Sequence, residues 1–319
     1  MLGTLLKSLL SRGGGPVLAR AAFDAGVGES KNGDHAAAAE SFERALALDP
    51  ANGEYHYLAG VSHLRLGKLD LARKRCQAAL ALDPTIAGVH MALSQLEMPG
   101  PSYFDLLPKI HGHLRPRTYV EVGVETGATL RLVLPETRAI GIDPDPIVSF
   151  PLSTRTTLHA TTSDEYFAGH DVQAELGGLP IDLAFIDGMH HFEFALRDFI
   201  NIERLCTPSS TILIHDCYPF DRFTSERERH VVFWSGDIWR FVLALRKYRP
   251  DLRLHTVAAA PTGLGVARGL DPRSRVLEEN FDEIVREFLA LDYSVLDVDK
   301  AGKLALYPND WEKIKAILQ

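Results

Sequence analysis

Two patterns of apolar positions divide the chain. From residue 21 to 98 small and apolar residues recur at helical spacing in paired segments. The same residue types return at an offset of 34: Gly26 with Gly60, Gly33 with Gly67, Ala38 with Ala72, Ala45 with Ala79 and Pro50 with Pro84. The segments close as RALALDP and AALALDP, and TIAGVHMALSQLEM after Pro84 predicts one more helix. Small residues let paired helices approach closely, and a proline stops the second helix of each pair. MPGPSY at 98–103 breaks this pattern. From residue 117 short apolar runs alternate with amphipathic segments, which predicts an open, mainly parallel sheet in an α/β domain. The predicted strands are 118–124, 138–143, 156–161, 181–187, 210–216 and 252–258, with helices over 126–134, 192–205, 236–248 and 276–290. Their near-continuous apolar character fits strands covered on both faces.

Composition narrows the partners. The 319 residues are 46% hydrophobic and 24% charged, ordinary globular values, and the net charge of -8 argues against a nucleic-acid grip built on phosphate neutralisation. Cys76, Cys206 and Cys217 are scattered with no CxxC, which points to a reducing compartment without a structural zinc. No apolar run approaches the roughly 20 residues of a membrane span, and a cytoplasmic location is expected. ERERH at 226–230 is mixed in sign and reads as a solvated loop. Three regions follow: a loosely ordered lead-in over 1–20, interrupted by GGG at 13–15, an all-α region over 21–98, and the sheet domain over 99–319.

The period of 34 and its small-residue positions resemble tetratricopeptide repeats. Phe42 and Cys76 share one position of the repeat, so the second copy departs from the first there. Two repeats and a capping helix fall short of the roughly three units such arrays need. The resemblance therefore implies support from the next domain, a protein partner or self-association.

Ligands of open α/β sheets bind beyond the carboxyl ends of the strands. Four acids stand there: Glu121 in VEVGVETG, Asp143 in GIDPDP, Asp187 in FIDG and Asp216 in IHDC. The first loop reads G-x-x-x-G from Gly123 to Gly127, not G-x-G-x-x-G, and no GK[ST] follows. Glu125 would set a carboxylate against a phosphate, so a cationic, phosphate-free ligand fits better.

The segment from 117 to 270 resembles class I S-adenosylmethionine-dependent methyltransferases. The resemblance implies a Rossmann-like fold and S-adenosylmethionine as cofactor. It implies Gly123 and Gly127 beside the methionine part, Glu121 facing the cationic end, and Asp143 holding the ribose hydroxyls as a bidentate carboxylate. Ser163 and Asp164 in ATTSDEYF would meet the adenine edge.

FIDGMHHFEFALRDF (185–199) with TILIHDCYPFD looks more closely like a subgroup that includes macrocin O-methyltransferase-like proteins and relatives of cephalosporin hydroxylase. A hydroxyl acceptor must lose its proton as it attacks, and an imidazole titrates near the working pH, so His190 is the candidate base. His191 takes a structural role. Asp187 and Asp216 end neighbouring strands and are placed to share one magnesium. Metal-dependent members carry an acid before the second Asp where this chain has His215, which leaves a mixed-ligand ion such as manganese open. Without a metal, Asp187 orients His190 and Asp216 contacts substrate. Trp234 and Trp239 read as core, Asp237 as a helix N-cap, PTGLG at 261–265 as a glycine turn or lid, and Phe220, Arg222 and Phe223 as acceptor contacts. The leading function is O-methylation of a sugar or other small-molecule hydroxyl. The alternatives are a repeat-based scaffold with a non-catalytic domain, and a protein methyltransferase.

Overall fold

A computed structural model describes residues 15–319. It divides into two compact units, one formed by the residues up to Glu97 with His230–Phe233, the other by Met98–Arg229 and Trp234–Gln319.

The first unit is helical: Gly15–Lys31, His35–Leu48, Gly53–Arg65, Leu69–Leu82 and Ala87–Glu97. The lead-in expected over 1–20 is therefore helical from Gly15 onward, while residues 1–14 lie outside the described residues. The repeat has a physical basis in one contact made twice. A Cβ on Gly26 would meet the Phe42 ring at 2.7 Å, and a Cβ on Gly60 would meet Cys76 Sγ at 2.5 Å. The two partners occupy one repeat position, so the smaller cysteine fills the space that the phenylalanine fills in the first copy. Gly33 and Gly67, at φ +81° and +69°, make the turn between paired helices where an L side chain would be strained. Phe23 packs on Phe42 and Tyr55 at ring centroids of 5.6 and 4.7 Å to centre the core.

The second unit is built on one eight-stranded sheet in the order β3-β2-β1-β4-β5-β7-β6-β8. Strands β1 (Thr118–Val122), β2 (Arg138–Asp143), β3 (Thr156–Ala160), β4 (Ile181–Ile186) and β5 (Cys206–Ile214) run parallel. β6 (Arg253–Val257) pairs with β7 (Leu264–Arg268), which runs antiparallel to both β5 and β6, and with the short β8 (Leu306–Tyr307). Alternation along β1 sends Val120 and Val122 to one face and Tyr119 and Glu121 to the other. On the first face they join Ile140, Ile186, Phe199 and Phe241, while on the second Tyr119 joins Leu107, Phe185 and Val266.

Two expectations are corrected here. No α-helix forms over 126–134, where only a single 3-10 turn at Leu130–Leu132 follows the glycine loop. Glu125 and Gly127 at φ +46° and +76° carry the chain through left-handed turns incompatible with a helix start. PTGLG does turn near the site, with Gly263 at φ +75° and Thr262 on Asp216, but Leu264 and Gly265 open β7, and a Cβ on Gly265 would stand 2.6 Å from Cys217 Sγ. Among the described residues no helix is long and apolar enough to cross a membrane, and the three cysteines are free and buried.

Candidate active site

The switch from β1 to β4 opens a crevice between strands running away from each other in connection order. Its floor is the ends of β4 and β5 with the turns that follow them. A cleft there is lined by Asp187, Gly188, Met189, His190, Asp198, His215 and Asp216. His190 and Asp216 hold φ of +56° and +62°, a left-handed conformation that costs a non-glycine residue about 1–2 kcal/mol. The two turns bring side chains from strands adjacent in space into one cluster.

His190 Nδ1 lies 2.8 Å from Asp216 Oδ2, and its Nε2 lies 3.8 Å from Asp187 Oδ1. The carboxylate that holds His190 is thus Asp216, and Asp187 is engaged elsewhere. Its Oδ1 is 3.1 Å from His215 Nδ1, which is also 3.4 Å from Asp216 Oδ1. Thr262 Oγ1 donates to Asp216 Oδ1 at 2.5 Å and so presents a lone pair to His215 Nε2 at 3.3 Å. Both nitrogens of His215 therefore face acceptors, as an imidazolium requires. The Tyr103 ring lies over it at 4.1 Å between centroids.

Electrostatics follow this geometry. Burial disfavours the charged form of His215, but Asp187 and Asp216 outweigh it and hold the imidazole well above its ordinary pKa. His190 is raised in the same way, burial opposing and Asp216 foremost among the groups that raise it. Burial of Asp216 is countered by His215 and His190, which leave its carboxyl below the usual range. A third acid, Asp198, is 2% exposed on the helix Phe192–Glu203, and its Oδ1 has no hydrogen-bond partner. Burial pushes it up to about 7.

The glycines of the first loop are packed closely by the chain around them. A Cβ on Gly123 would stand 2.0 Å from Asp187 O, and one on Gly127 would stand 2.9 Å from Val148 Cγ2. Each glycine is required by its positive φ and by the chain packed against it. Glu121 does not face the cleft. It is fully buried, with Tyr119 donating to Oε2 at 2.6 Å and Thr129 to Oε1 at 2.7 Å. Burial raises it to about 7 despite those two hydrogen bonds. Asp143 accepts backbone N–H groups from Val124, Glu125 and Asp145 at 2.8–2.9 Å, fastening the glycine loop to the end of β2. Of about four acceptor positions on a carboxylate, three are taken by these N–H groups and roughly one remains. Ser163 opens the helix Ser163–Gly169, and Asp164 is engaged at both oxygens by Arg197 at 2.9 and 2.8 Å.

The cluster of Asp187, His190 and Asp216 places its donor atoms within 4.8 Å of one another. Its composition does not suit magnesium, which takes an octahedron of oxygens. One of the three ligands is an imidazole, and the facing oxygens of the two carboxylates are bridged by His215. A nitrogen-accepting ion such as manganese matches the donor types, but it meets the same bridge.

Several site residues escaped sequence reasoning. Trp234, read as core, stacks on His190 with centroids 5.1 Å apart and planes at 7°. Arg227, read as solvated, pairs with Glu193 and Asp237. Asp237 makes no cap to its own helix Ile238–Tyr248 and instead accepts from Phe192 N at 2.9 Å. Arg222 is paired with Asp292 at 2.6 Å. Asp198 left a readable signal, since it interrupts the apolar stripe of Phe192, Ala195, Leu196, Phe199 and Ile202. His191 sits at the N-cap position with Nε2 3.0 Å from Arg227 O, a structural contact. Trp239 is buried at 1% exposure.

The site belongs to an α/β domain with a mainly parallel sheet that follows a helical repeat in sequence. Residues 120–217 match the family model described as a methyltransferase domain, and residues 23–85 match the tetratricopeptide repeat. The chain accordingly carries a methyltransferase domain with tetratricopeptide repeats before it. No curated protein matches the sequence. Among solved structures, the O-methyltransferase TomG from Streptomyces achromogenes, involved in tomaymycin synthesis and in complex with SAM, aligns at a TM-score of 0.42 and 16% identity over 58% of this chain and 89% of its own. An O-methyltransferase from Bacillus cereus in complex with SAH aligns at 0.42 and 13% identity over 62% and 98%. The SAH-bound methyltransferase PaMTH1 of Podospora anserina aligns at 0.41 and 13% identity over 58% and 88%.

Proposed function

We propose that the domain transfers a methyl group from S-adenosylmethionine to a hydroxyl of a sugar or another small molecule, with His190 as general base. The observation that carries this reading is the close approach of His190 Nδ1 to Asp216 Oδ2, 2.8 Å, in the cleft. A carboxylate on Nδ1 favours the tautomer whose Nε2 accepts a proton and steadies the imidazolium that results.

The loops at the ends of β1, β2 and β3 fit a cofactor without phosphate. No α-helix begins after Gly127 to receive a phosphate at its N-terminus. Gly123 and Gly127 shape the loop, the remaining acceptor position of Asp143 suits one ribose hydroxyl, and Ser163 and Asp164, at the start of the helix after β3, are read as the contacts for the adenine edge. The bound cofactor supplies an electrophilic methyl on a sulfonium. The chain's own residues do the rest. His190 takes the hydroxyl proton at Nε2, Asp216 offsets the charge so formed, and His215 keeps Asp187 and Asp216 together. No step is assigned to a metal.

The repeats of residues 23–85 we read as the surface for a protein partner or for self-association, and the location as cytoplasmic. Incubation of the full chain with isotopically labelled S-adenosylmethionine and a cell extract, followed by mass analysis, tests the reading. Label on a hydroxyl oxygen of a small molecule supports it. Label confined to protein would favour the protein methyltransferase, and no label the scaffold.

A further inference from the structure

His190 holds its place against a strained backbone, and apart from Asp216 the groups that fix its turn come from residues 227–240. Gly236 and Asp237 abut the turn His190–Phe192 directly. Asp237 N donates to His190 O at 3.1 Å, and Asp237 Oδ1 accepts from Phe192 N at 2.9 Å. A Cβ at Gly236 would lie 1.8 Å from His190 O, so only glycine permits this approach. His191, the N-cap of the helix Phe192–Glu203, makes no side-chain cap of its own. Asp237 caps that helix from another element, and its own helix goes uncapped by its side chain.

A carboxylate at 0% exposure must be compensated or it is costly. Arg227 Nη1 lies 2.7 Å and Arg240 Nη1 3.4 Å from Asp237 Oδ2. Arg227 is in turn forked onto Glu193, in the first turn of the capped helix, at 2.9 and 2.5 Å. Above the same turn Trp234 stacks on the His190 ring. Such an arrangement exceeds what capping one helix requires.

The geometry points to Asp237 as the positioning residue of the base. Through its backbone N–H and one carboxylate oxygen it locks the His190–Phe192 turn in the left-handed conformation that sets the imidazole against Asp216 and beneath Trp234. Arg227 and Arg240 hold the carboxylate in that orientation. This inference rests on His190 as the base for its catalytic consequence, but the positioning itself is observable without turnover.

The test uses the full chain labelled with 13C-histidine. The stacked indole shifts the ring-proton signals of His190 upfield, and His190→Gln and Trp234→Leu assign them at one fixed pH. Asp237→Ala is expected to lose most of that shift while calorimetry with S-adenosylhomocysteine stays within twofold of wild type. Asp237→Asn, which keeps an acceptor for Phe192 N, is expected to retain at least half the shift. Arg227→Leu is expected to fall between them and stands in should Asp237→Ala fail to fold. Once an acceptor is in hand, kcat should fall at least tenfold in Asp237→Ala with KM little changed. A His190 signal that keeps its full upfield shift in folded Asp237→Ala and Arg227→Leu overturns the inference. Methyl transfer persisting in His190→Gln would instead remove the base assignment and leave the positioning result standing.

Discussion

His190 presents Nδ1 to Asp216 at 2.8 Å, while Asp187, three residues away in sequence, stands 3.8 Å from Nε2. The nearer carboxylate in space is the farther one in sequence, and it lies in the turn after the next strand. Asp216→Asn keeps the left-handed turn, which asparagine tolerates, but offers its amide in place of one acceptor oxygen. Methyl transfer should fall about 10²-fold or more with cofactor affinity unchanged. Steady-state kinetics against calorimetry check this, and a loss seen equally in both would assign Asp216 to the fold alone.

Glu121 supplies a pH signature. Its pKa is raised by burial from 4.5 to about 7, so the folded state favours the protonated form. The stability it contributes is whole below pH 4.5 and is lost as pH rises through 7, at most about 3 kcal/mol. Asp198, also near 7, acts in the same direction. Glu121→Gln should therefore unfold at higher denaturant than wild type at pH 8, with the gap narrowing at pH 5. A gap of equal size at both values would show that Glu121 binds its proton equally in the folded and unfolded states, against the effect of burial.

Asp143 fastens the glycine loop, and the proposed function gives it one ribose hydroxyl as well. Loss of hydrogen bonds to a charged group is worth about 1.5–3 kcal/mol, so Asp143→Ala should weaken S-adenosylhomocysteine binding by roughly 10- to 100-fold. Asp143→Asn, which still accepts on one oxygen, should weaken it less. Calorimetry that ranks both variants with wild type would remove Asp143 from the cofactor site.

His215 bridges the carboxylates where an ion would have to sit. Dialysis against a chelator should leave methyl transfer within twofold of its starting value. His215→Glu should bind manganese more tightly than wild type, as read by the ion's paramagnetic relaxation. Activity lost to the chelator and restored by a divalent ion would contradict the bridge.

The strand ends are legible because a buried run that closes on a carboxylate has few purposes, and Asp187, His190 and Asp216 do converge. The repeat is legible because Gly26–Phe42 and Gly60–Cys76 are one contact written twice. Other features lie outside local pattern. Glu121 reads as a ligand contact until Tyr119 and Thr129 close around it. The missing helix after Gly127 depends on left-handed φ at Glu125 and Gly127, which apolar periodicity does not encode. β7 hides behind glycines that resemble a turn, and Asp237 acts on a helix 45 residues earlier, a pairing only the folded chain creates.

The most direct measurement compares wild type with His190→Gln for label transfer from S-adenosylmethionine to the acceptor hydroxyl, with S-adenosylhomocysteine affinity determined on both. The account predicts equal affinity and a rate lower by about 10²–10⁴-fold in the variant. Equal rates would contradict it.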